Sequence, residues 1–128
     1  MLRCALMAVA AAAVVIAAPA QAQVQRNFPQ NALRGTIAIG EAPEISLNGE
    51  PARLAPGVRI RDQANLLETP ASLLGQKFAA HYTLDIAGLV NQIWILRRDE
   101  LANRPWPETP EQASRWSFDP IAQAWTRR

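Results

Sequence analysis

The chain is 128 residues long, 49% of them hydrophobic, with 13 basic and 11 acidic side chains, one histidine, one cysteine and a net charge of +2. That length suits one folding unit with a modest core and is too short for two. The near balance of charge excludes nucleic-acid binding through a strongly basic surface, and one histidine with one cysteine excludes a zinc or copper site built from several such ligands.

At the start, Met1-Leu2-Arg3 runs into an unbroken apolar stretch of 14 residues, Ala5 to Ala18, and Pro19 leads to Ala20-Gln21-Ala22. These are the basic, apolar and small-x-small parts of an export signal. The stretch falls short of the roughly 20 residues that cross a hydrocarbon core. A signal peptide over 1–22, cleaved after Ala22, is therefore expected, with a periplasmic or secreted location and no transmembrane segment afterwards. Cleavage removes Arg3 and Cys4 and leaves 106 residues (128 less 22) with 12 basic and 11 acidic groups. With no disulfide possible, the mature chain is held by apolar burial and backbone hydrogen bonds.

Residues 23–31 are mostly polar, with Phe28 before Pro29, and read as a flexible N-terminal arm. From 32 to 97 the pattern changes to short β-branched runs broken by Gly, Pro and Asn, the mark of strands joined by tight turns. Leu33 to Ile39 is a first strand with Leu33, Gly35, Ile37 and Ile39 on one face. Asn48-Gly49, flanked by Ile45, Leu47, Ala52 and Leu54, predicts a two-residue hairpin turn, because both residues tolerate positive φ. In that register Glu44 faces Arg53 and Ser46 faces Pro51. Ala55-Pro56-Gly57 reads as another turn, followed by a fourth strand carrying Val58 and Ile60 inward and Arg59 and Arg61 outward. The stretch 62–75 is a folded-back connection, anchored by Leu66, Leu67, Leu73 and Leu74, that Pro70 prevents from being one helix.

Two further strands, Gln76 to Leu84 and Leu89 to Leu96, flank Asp85-Ile86-Ala87-Gly88, which suits a type I turn. The first carries Phe78, Ala80, Tyr82 and Leu84 on a core face, with Lys77, Ala79, His81 and Thr83 outward. The second is apolar on both sides and calls for a cover on each, supplied by the C-terminal segment 98–128. That segment offers one helical turn over 98–103 and an extended Arg104-Pro105-Trp106-Pro107. Thr109-Pro110-Glu111-Gln112 then supplies a capping arrangement for a short helix. Residues 117–125 form a small hairpin, or a helical turn capped by Asp119. The whole predicts a mainly β fold, a small twisted barrel of the OB or SH3-like kind with about six short strands, latched by an aromatic C-terminus; a β-sandwich is the alternative.

The candidate chemistry is sparse. His81, the one possible relay base, reads as a solvated residue beside Lys77 and Thr83. Asp85 and Asp119 have turn roles, Asp99-Glu100 reads as an exposed helix start, and the serines lack a nucleophile-elbow context. No catalytic residue, cofactor or metal is assigned. Arg34, Arg53, Arg59 and Arg61 project opposite the apolar side chains and form a candidate basic patch for phosphate or carboxylate groups. The plainer reading of these arginines is a solvated face balanced by Glu44, Glu50 and Asp62. Trp94 reads as core, whereas Trp106, between two prolines, is a candidate exposed contact for a partner.

The succession Asn31-Ala32-Leu33-Arg34-Gly35, Leu47-Asn48-Gly49, Pro51-Ala52-Arg53-Leu54-Ala55-Pro56-Gly57, Tyr82-Thr83-Leu84-Asp85, Trp94-Ile95-Leu96, Trp106-Pro107 and Phe118-Asp119-Pro120 resembles a family of short exported proteins of Gram-negative bacteria. The resemblance implies a periplasmic domain and no particular activity. The functional expectation is a non-enzymatic binding or accessory module of the cell envelope, whose partner is an envelope protein or an anionic envelope component. The alternatives are a small enzyme acting on glycan or peptide through carboxylates, and a structural protein that self-associates through the 57–61 strand or the 44–54 hairpin.

Overall fold

The computed structural model of the protein describes residues 11–15 and 24–128. The cleavage site expected after Ala22 lies outside the described residues. So does the rest of the expected signal peptide apart from 11–15.

Along the chain run β1 (Leu33–Ile39), β2 (Glu44–Leu47), β3 (Glu50–Arg61), β4 (Leu67–Glu68), a 3-10 turn (Pro70–Leu73), β5 (Lys77–Leu84) and β6 (Val90–Ile95). Two short helices follow, α1 (Arg98–Leu101) and α2 (Pro110–Arg115), and then β7 (Ser117–Asp119) and β8 (Ala124–Thr126). β1 pairs antiparallel with β2 and β5, β2 with β3, and β5 with β6. A parallel pairing of β3 with β6 closes the ring β1-β2-β3-β6-β5 into a five-stranded barrel, with β4 added beside the end of β3. Of the two barrel kinds expected, this connectivity is that of an OB barrel.

The first hairpin forms as its turn residues dictate. Asn48 and Gly49 sit at φ 54° and 83°, and Glu44 pairs with Arg53 and Ser46 with Pro51. The Asn48 side chain folds over β1, where its Oδ1 accepts from the Thr36 amide at 2.9 Å. Gly35 makes room for it, because a Cβ there would lie 2.9 Å from that oxygen and 3.1 Å from the Tyr82 ring.

Ala55-Pro56-Gly57 does not end a strand. It lies inside β3, a single 12-residue strand, at an irregularity in the register with β6 between Leu54 and Arg59. Pro56 has no N–H to offer a neighbour, and Gly57 takes φ 74°, so the strand bends and continues. Its first half pairs with β2 and its second with β4 and β6. Arg59, Ile60 and Arg61 thus pair with β6, and Ile60 and Arg61 also with β4, so this segment is not the free edge expected. The connection 62–75 also differs: Leu73 is buried, but Leu66, Leu67 and Leu74 are exposed. Asp62 organises the turn instead, its Oδ1 accepting from the amides of Ala64 and Leu66.

Inside the barrel, alternate residues of the five strands supply Leu33, Ile37, Ile39, Ile45, Leu54, Ile60, Ala80, Tyr82, Val90, Ile93 and Ile95. A second apolar cluster, Phe28, Ala32, Trp94, Leu96, Trp106 and Trp125, lies over the outer face of β5 and β6. Two expectations are corrected here. Residues 24–31 are not a free arm, because Arg26 and Phe28 are buried against the barrel. The outer face of β5 is not solvated, because His81 and Thr83 are only 1% and 2% exposed. The physical reason is the same for both: the cover is assembled from stretches about 75 to 100 residues apart in the chain, such as the Phe28 amide donating to Gln123, which no local periodicity can show.

The C-terminal elements follow their local chemistry. Thr109 caps α2 by accepting from the Gln112 amide, and the Gln112 side chain reaches back to the Glu108 amide. β7 and β8 form the small hairpin, with Phe118 opposite Trp125.

Candidate functional site

The structure disperses the residues expected to bind a partner. Arg34, opposite His81 in the β1–β5 pairing, is half-buried. Its Nε donates to His81 Nε2 at 3.2 Å, its Nη1 to the Asn103 carbonyl at 2.9 Å and its Nη2 to the Glu100 carbonyl at 3.0 Å. The side chain therefore adds a donor to the Glu100 carbonyl, which also accepts from the Asn103 amide, and satisfies the Asn103 carbonyl just after α1. Burial lowers its pKa most, Arg104 adds to that, and Glu108 and Glu100 oppose it. Trp106 is not an exposed contact. It is 4% exposed, its indole N–H donates to the Ala32 carbonyl, and its ring stacks on His81 at 4.1 Å. The indole is drawn inward because the outer face of β5 and β6 offers apolar area while the Ala32 carbonyl, just before β1, accepts its N–H. Arg61 lies 5.8 Å from the Trp94 ring centroid, Arg53 pairs with Glu44 at the surface, and Arg59 is exposed.

Across four strands the register sets Arg34, His81, Trp94 and Arg61 in one outer row. Beside it lies a cleft of about 270 Å³ where the 24–31 segment, α1 and the C-terminal hairpin meet, lined by Arg26, Phe28, His81, Arg97, Glu100 and Gln123 among others. Its charges are already matched. Arg26 donates through Nε and Nη2 to the Glu100 carboxylate and also to the carbonyls of Asp62 and Ile95. Glu100 further accepts from the Arg97 amide, and Arg97 pairs with Asp99, whose pKa falls chiefly through that hydrogen bond.

His81 is neutral in this setting. Burial first, then Arg34 and Arg26, push its pKa from 6.5 to about 2. Because Arg34 donates to Nε2, the ring proton sits on Nδ1, which finds no acceptor among the described residues. An imidazole held neutral with its basic nitrogen occupied is poorly placed to take a proton from a substrate. The other carboxylates considered for catalysis hold turns: Asp85 Oδ1 accepts from Ala87 and Leu89, and Asp119 Oδ1 from Ile121 and Ala122.

A second cleft, of about 450 Å³, opens where the bend of β3 meets the β1–β2 loop, the 3-10 turn and the β5–β6 hairpin. Ala42, Pro43, Leu54, Ala55, Pro56, Val58, Pro70 and Leu89 line it, and Arg53 is its one charged residue. Among the described residues its walls hold no side-chain carboxylate, imidazole, thiol or hydroxyl, so they offer shape, apolar area and a single guanidinium. Sequence reasoning reached Arg53 and missed the rest. The visible signal was a recurrence of proline at 43, 56 and 70, in the β1–β2 loop, within β3 and in the 3-10 turn, which only the closed barrel brings together.

No protein-family model, curated protein or solved structure matches this chain.

Proposed function

We propose that the protein is a non-enzymatic binding module of the bacterial cell envelope, one of the short exported proteins of Gram-negative bacteria that its sequence resembles, and that it holds its ligand in the apolar cleft at the bend of β3. The observation that carries this is the cleft itself: about 450 Å³, within the usual size of a small-molecule site, with three prolines in its walls and one arginine at its side. Its position supports the same reading, because OB barrels take ligands over the strand 2–3 face between the loops that flank it here. That support is an analogy of fold. The carboxylates that glycan or peptide hydrolysis would use are engaged in turns and ion pairs, which favours binding over hydrolysis.

A photo-crosslinking amino acid in place of Val58 tests the proposal in the envelope of living cells, with the same residue in place of the exposed Ile121 as the control. A discrete adduct at 58 that is missing at 121 is the expected outcome. Identical backgrounds at the two positions would remove the cleft from consideration.

A further inference from the structure

We infer that the β3 cleft takes a single-chain amphiphile with a carboxylate head group, its chain against Pro43, Leu54, Val58, Pro70 and Leu89 and its head on Arg53; this rests on the binding role proposed for that cleft. The lining fixes the two halves of the ligand. Apart from Arg53 every lining side chain is apolar, so polar atoms deep in the cleft would lose water without gaining a partner. A hydrocarbon chain loses nothing there, and prolines in the walls reduce the ordering that binding costs.

The head group follows from what Arg53 already does. Its Nε and Nη2 donate to the same oxygen of Glu44, at 3.2 Å and 3.0 Å. The side chains of this pair are 64% and 56% exposed. Exposed pairs of this kind contribute little and exchange readily. Arg53 is thus a carboxylate site occupied by a weakly held internal carboxylate, and a ligand carboxylate replaces it like for like. Glu44 stays next to the head group after displacement, which favours a monoanion over a dianionic phosphate.

The test titrates the full mature protein with decanoate, decanol and decyl phosphate below their micelle-forming concentrations, following the methyl resonances of Leu54, Val58 and Leu89. Decanoate should shift these methyls and bind about tenfold more tightly than decanol, the effect of one charge-assisted hydrogen-bonded contact. Each added methylene should tighten binding by up to about fourfold. Arg53→Gln, a change at an exposed position, should bring decanoate down to about the level of decanol, while Glu44→Gln should tighten decanoate.

Equal binding of decanoate and decanol, unaffected by Arg53→Gln, would overturn the carboxylate assignment while the cleft remained a ligand site. Tighter binding of decyl phosphate would overturn it in favour of a phosphorylated head. If none of the three moves these methyls but the Val58 crosslink forms, the amphiphile is wrong and the cleft reading stands. If the crosslink also fails, both fall.

Discussion

Burial beside Arg34 keeps the His81 imidazole uncharged, and that has a signature in pH. The unfolded chain takes up a proton on this ring near 6.5, whereas the folded protein does so only at about 2. Below pH 6.5 the unfolded state therefore binds more protons, and stability falls with pH by about 1.4 kcal/mol per unit. Between pH 6.5 and 5 the expected loss is about 2 kcal/mol, measured as a drop in the urea midpoint. Asp99 has a depressed pKa as well, but its contribution is present above its ordinary value of 3.8 and fades at lower pH, outside that window. His81→Gln should flatten the profile between pH 6.5 and 5; an unchanged slope in the variant would mean that another group carries it. Nothing local in the sequence marks His81 as buried. Lys77, Ala79, His81 and Thr83 read as an outer face, and only two of the four lie under the deepest part of the cover.

β3 shows what element-scale reasoning captures. The Asn48-Gly49 hairpin was legible down to its residue pairing, because two turn residues and two alternating flanks all point to one register. The Thr109 cap was legible for the same reason: it depends on neighbours within four residues. The bend at Gly57 was not, because Pro-Gly serves a reversal and a bulge equally well locally, and the choice falls to β4 and β6 on either side. At Gly57 a Cβ would meet nothing within 4 Å, so any cost of a side chain there is backbone strain alone. Gly57→Val should cost about 1–3 kcal/mol at φ 74°, and Gly57→Asn clearly less, since asparagine tolerates that region. Equal urea midpoints for the two variants would show that the conformation of residue 57 is not what limits the bend. Of the candidate site, Arg53 was readable as a charge on an outward position, whereas its apolar neighbours were divided between β3 and three connections.

At the scale of the molecule, two layers share one sheet: a barrel interior and an outer cover over β5 and β6. The cover is fastened by the buried pair of Arg26 with Glu100, whose side chains are 5% and 7% exposed. Removing one partner of such a pair strands the other, at about 3–5 kcal/mol. Arg26→Met and Glu100→Leu should each lose that much in chemical denaturation, and the double variant should recover a large part of it. Losses that simply add would show the two groups to be energetically independent. The mainly β barrel follows from strand-sized apolar runs and turn chemistry. The cover does not, since Phe28, Trp106 and Trp125 meet only once the barrel exists to receive them.

Gln123 grips Phe28 in both directions, its Oε1 accepting from the Phe28 amide and its Nε2 donating to the Phe28 carbonyl. The two tails of the described chain are thereby tied into one knot of contacts, 95 residues apart in sequence. A ribosome or a translocation channel delivers such a chain from its N-terminal side, so Arg26 and Phe28 emerge long before Gln123, and the apolar ring of Phe28 waits for almost the whole remaining length. The tie between Phe28 and Gln123 cannot form until residue 123 has emerged, so a chain halted before Gln123 is left with its outer layer unfastened.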